Sequence, residues 1–146
     1  MKDTRTIYFG FQGLRTVRDA LQFVCNSFAK EREIYGHIGR EFEKTDEEQS
    51  ACELLHRIED FMNAAFMVGK SVDLSSDECS IIGSALGACR DIAALQLYQV
   101  ADTKISVKAC RELRRWIIDL DDAAACLRYE QEASIERSTS QEVPHE

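Results

Sequence analysis

Residues 79–101 read CSIIGSALGACRDIAALQLYQVA, twenty-three residues with two formal charges, Arg90 and Asp91. The chain around them is 30% charged. A helix in a simple bundle buries one broad apolar stripe and wets the opposite side. Here Ile82, Ala85, Leu86, Cys89, Ile92, Ala93, Leu97 and Val100 fill such a stripe, and Ile81, Ala88, Leu95 and Tyr98 extend the apolar surface beyond it. Gly83, Gly87 and Ala94 form a third, smooth side. Leaving a leucine-sized group exposed forgoes roughly 1.5–3 kcal/mol. A fold built on this helix must therefore cover it on more than one side, and three occupants fit: the N-terminal arm, a second copy of the chain, or a ligand or partner peptide.

The helix has a well-marked start. Ser75 and Glu78 have the spacing of a capping box, with Leu74 and Cys79 placed as a hydrophobic staple. A second box, Thr45 with Glu48, precedes a helix whose face is Leu55, Ile58, Met62 and Ala65, expected to stop near Gly69. Upstream, Val17, Leu21, Val24 and Phe28 repeat at helical spacing, and Ile34, Ile38 and Phe42 continue the rhythm. Thr16 is the candidate cap of this first helix, Gly36 and Gly39 a bend, and Lys44 its end. A fourth helix begins near Ser106, or earlier at Asp102 or Thr103. Its face is Val107, Cys110, Leu113, Ile117, Leu120, Ala124 and Leu127.

The expected fold is all-α, an antiparallel four-helix bundle over residues 14–133. Residues 1–13 hold Ile7, Tyr8, Phe9 and Phe11 and form an aromatic extended arm. Gly10 and Gly13 argue against helix there, and no second strand is evident. Residues 134–146 lack a core pattern and are expected to be a flexible tail.

Composition narrows the function classes. The formal net charge is -8 and the pI near 4.9, which disfavours nucleic acid as a partner. No apolar run suits a bilayer, and no signal segment opens the chain. Six cysteines without a paired-cysteine motif fit a reducing, cytoplasmic setting, where thiols pack as small hydrophobes.

Chemistry-bearing patterns are sparse. Glu53 and His56, three apart, are the weak candidates for a metal site; ferritin-like centres need two such pairs and further carboxylates. Cys52 lies four before His56, and Asp60 four after it, without an oxyanion donor motif. Asp119 and Asp122 share an outer face, where Arg115 is placed to pair with Asp119. Gly69-Lys70-Ser71 lacks the setting of a phosphate loop. No catalytic residue and no cofactor are assigned.

One polar feature is less generic. Lys104, Lys108, Arg111 and Arg115 form a basic stripe on the fourth helix, with Trp116 beside it. Arginine forks suit carboxylate or phosphate recognition. The expected role is a non-catalytic protein–protein interaction module, a regulator or inhibitor, and its expected partner is an acidic protein. Its expected contact residues are Gly83, Gly87, Tyr98, Lys104, Lys108, Arg111, Arg115 and Trp116. A homodimer is also expected. The alternatives are a bundle that binds a metal or small ligand, and a structural homo-oligomer.

Overall fold

The computed structural model describes residues 4–37, 45–64, 71–101 and 107–141, with backbone alone at 37, 101 and 130–141. Four helices carry the fold: α1 (Gly10–His37), α2 (Asp46–Asn63), α3 (Ser76–Ala101) and α4 (Val107–Gln141). Two short strands, β1 (Thr4–Ile7) and β2 (Val72–Ser75), pair antiparallel. The all-α architecture matches the periodicity of the sequence.

The helices form two antiparallel pairs. In α1/α2, Cys25 meets Cys52 and Arg32 meets Glu48. In α3/α4, Gly83 faces Leu127 and Arg90 bonds Asp121 at 2.9 Å. The pairs meet where the Cys89 thiol points at the Ala20 carbonyl. Leu14, Val17 and Leu21 of α1, Leu54, Leu55 and Ile58 of α2, Ile82 and Leu86 of α3, and Leu120 and Leu127 of α4 make one buried core.

The arm departs from its expected form. A second strand exists, in the residues read only as the staple and cap of α3, and Ile7 pairs with Val72 and Thr4 with Ser75. Four-residue strands carry little periodic signal, and this pair is stabilised by burying Ile7, Val72 and Leu74 against the helices. Thr6 adds a hydroxyl bond to the Asp73 carboxylate at 2.6 Å.

Helix α1 also starts earlier than expected. Gly10 has φ +74°, a left-handed turn that glycine adopts without strain and that swings the strand into the helix. Gly13 makes room for Phe9, whose Cβ would lie 2.9 Å from a methyl group at that position. The two glycines expected to prevent a helix thus allow it to begin. Thr16 lies inside α1 as a result; it is buried, and its hydroxyl donates to the Gln12 carbonyl at 2.9 Å rather than capping the helix.

Both other caps are where the sequence places them. The Glu48 amide donates to Thr45 Oγ1 at 3.2 Å. The Glu48 carboxylate, however, pairs with Arg32 at 2.8 Å. At α3 the box is reciprocal: the Glu78 amide donates to Ser75 Oγ, and the Ser75 amide to Glu78 Oε1. Arg57 of α2 pairs with Glu78 at 2.6 Å and also donates to the Asp73 carbonyl, joining α2 to β2 and the start of α3.

Helix α2 ends at Asn63, before the expected stop at Gly69, because Ala64 turns to extended backbone while its amide closes the last turn on Asp60 and Phe61. Helix α4 continues to Gln141, past the expected end of the ordered domain at residue 133. The expected end of α1 at Lys44, with Ile38, Gly39 and Phe42, lies outside the described residues, as do Ala65 and Gly69.

Candidate interaction surface

The C-terminal half of α3 changes character at Cys89. Up to that point Cys79, Ile82, Ala85, Leu86 and Cys89 are buried, and Ala93 is the last wholly buried residue of the stripe. Ile92 is exposed, and Leu97 and Val100 are half-buried, so the stripe read as continuous to Val100 opens outward. Leu95 is 58% exposed and Tyr98 72%. Of the three candidate occupants, the described part of the arm does not cover this surface, because β1 is paired with β2 and packed on α4.

Two apolar depressions border α3, the first beside this C-terminal half and the second beside the N-terminal half. One, of about 250 Å³, lies between Phe23 of α1, Ile92 of α3 and Trp116 of α4. The other, a cleft of about 540 Å³, is lined by Val24 and Phe28, by Ala51, and by Ile81, Ala85 and Ala88. Sequence periodicity placed Val24 and Phe28 in the core, and assigned no cleft. Helical spacing carries no signal for this cleft, because it marks a face without fixing how closely α1, α2 and α3 converge on it.

The two glycines of the smooth side have different surroundings. A methyl group at Gly83 would touch Leu127 at 3.5 Å, so α4 of the same chain occupies that side. At Gly87 nothing lies within 4 Å among the described residues. Gly87, Leu95 and Tyr98 therefore share the outward surface, and Gly83 does not.

The basic stripe is partly compensated. Lys108 reaches Glu112 at 3.9 Å and Arg115 reaches Asp119 at 3.6 Å. Arg111 and Arg114 are exposed and make no ion pair among the described residues. Lys104 lies outside the described residues. Trp116 is half-buried and packs against the core, so its indole is mainly a structural wall. The antiparallel register of α3 and α4 brings Tyr98 level with the first turns of α4. An exposed aromatic ring and two uncompensated guanidinium groups thus occur at one end of the molecule.

The remaining candidates are separate from this surface. Glu53 and His56 are both exposed on α2, and the Glu53 carboxylate accepts a bond from Gln49 at 2.7 Å. Among the described residues no three His, Cys, Asp or Glu side chains gather as a metal site. A metal held between the helices needs both groups to point inward towards further carboxylates, and their outward position does not provide that. No described helix is long and apolar enough to cross a membrane.

Cys89 is chemically muted. Burial pushes its thiol up to about 11, so it stays protonated near neutral pH.

No protein-family model matches the chain, and no curated protein or solved structure does either.

Proposed function

We propose that this small all-helical domain is a non-catalytic protein-binding module whose contact surface is the outer side of α3 from Gly87 to Tyr98 together with the first turns of α4. The observation that carries the reading is the exposure of Leu95 and Tyr98 near the end of the stretch 79–101, which has two formal charges. Aromatic and arginine side chains are the residues that most often dominate binding energy at protein interfaces. Tyr98, Arg111 and Arg114 supply that combination, and the uncompensated guanidiniums favour an acidic partner surface. A regulator or inhibitor needs no chemistry beyond this.

The test is affinity capture with the wild-type chain beside two surface variants, Leu95→Glu with Tyr98→Ala, and Arg111→Glu with Arg114→Glu. A specific partner is retained by the wild type and lost by both variants while circular dichroism is unchanged. Equal retention by all three rejects the surface. A second copy of the chain is the other occupant, favoured by the open space over Gly87. Sedimentation across the micromolar range decides it: a mass that stays monomeric rules out the homodimer, and a dimer dissociated by Leu95→Glu supports it.

A further inference from the structure

Cys25 of α1 and Cys52 of α2 come from consecutive helices, 27 residues apart in sequence, and their sulfurs lie 3.3 Å apart. Cys25 is buried, while Cys52 is partly open to solvent. A disulfide needs the sulfurs at about 2.05 Å, with β-carbons about 3.5–4.5 Å apart. Closing the gap brings the sulfurs together by little more than about 1 Å.

We propose that Cys25 and Cys52 form a modification site, an intramolecular disulfide made on exposure to a peroxide oxidant. The balance is simple. The thiolate of Cys52, the more accessible sulfur, attacks one peroxide oxygen, giving a sulfenic acid and releasing hydroxide, which takes up a proton to become water. The Cys25 sulfur then attacks the Cys52 sulfur, expelling the sulfenic oxygen as a second water. Two thiols and one hydrogen peroxide become one disulfide and two waters; sulfur is oxidised and peroxide oxygen reduced. A dithiol reductant reverses the bond by exchange through a mixed disulfide.

The other cysteines provide contrast. Cys89 is buried with its ionisation suppressed, which slows attack by the same route. The site does not depend on the partner surface described above. It does adjoin the α1/α2/α3 cleft, because Val24 and Ala51, each next to one of the cysteines, line it. The oxidised form joins the two helices that make that wall, closing a loop whose cross-link raises the melting temperature by roughly 10 °C.

The experiment uses the full reduced chain, treated with stoichiometric hydrogen peroxide, alkylated and digested with trypsin. The expected product is a monomer lighter by two hydrogens, in which the peptide of residues 19–30 is joined to that of residues 45–57. Dithiothreitol releases both peptides. Cys52→Ser, at the partly exposed position, removes the cross-link, and so does Cys25→Ser. Full alkylation of Cys25 and Cys52 after peroxide treatment overturns the proposal, as does peroxide-induced linkage between chains through Cys110 or Cys126 in place of this bond. Failure here leaves the partner reading intact, because neither cysteine belongs to that surface.

Discussion

Arg32 of α1 and Glu48 of α2 form an ion pair at 2.8 Å in which the carboxylate is almost wholly buried and the guanidinium is about one-third exposed. The same Glu48 sits at the third position of its helix, over the Thr45 cap. A buried carboxylate that loses its partner retains its desolvation cost. Arg32→Met is expected to destabilise the fold by about 2–3 kcal/mol, moderated by water reaching the arginine side. Arg32→Met with Glu48→Leu recovers most of that loss. Urea denaturation of both variants checks the cycle, and a double variant as unstable as the single one rejects this account of the pair.

Gly10 and Gly13 are expected to resist substitution for different reasons. Gly10→Ala places a side chain on a left-handed backbone and costs about 1–2 kcal/mol. Gly13→Ala presses on the buried Phe9 and costs about 1–3 kcal/mol through overpacking. Phe9→Gly removes the Cβ that makes the 2.9 Å contact, so Gly13→Ala costs less in the Phe9→Gly background than in the wild type. Thermal denaturation of the four chains reads both effects.

Gly87→Ala is expected to act in the opposite direction. With open space above it, an added methyl group meets no described atom, and replacing glycine within a helix stabilises by about 0.5–1 kcal/mol. If the face is a docking surface, the same variant also weakens binding. A stabilised chain with unaltered partner affinity moves the contact away from Gly87.

The alkaline limit of stability has a calculable sign. The Cys89 thiol is raised to about 11 in the native chain. The unfolded chain therefore loses that proton at lower pH than the folded one, and ionisation favours unfolding. The contribution is fully present below the unfolded value near 9 and is lost as pH rises through about 11. Cys89→Ala flattens the fall in stability between pH 9 and pH 11 relative to the wild type, measured by chemical denaturation at each pH.

The capping box predicts a further local effect. Ser75→Ala removes the acceptor for the Glu78 amide and costs about 1 kcal/mol. Because Ser75 is also paired with Thr4 in the sheet, hydrogen exchange should quicken at the start of α3 and in β1 together. Quickening limited to α3 separates the cap from the strand pair.

Local rules determined much of this molecule. The side chains of Thr45, Ser75 and Glu78 specified where α2 and α3 begin, because an N-cap is satisfied within three residues of sequence. The core positions Leu21, Ile58, Ile82 and Leu120 were legible from helical spacing. Tertiary structure alone decided that β1 finds β2, that Glu48 turns to Arg32 and that Cys25 meets Cys52, since each joins residues whose separation leaves no periodic trace. It also decided which side of α3 remains open. An apolar residue states that burial is favourable, but only the lengths and packing of the neighbouring helices determine whether anything is there to bury it.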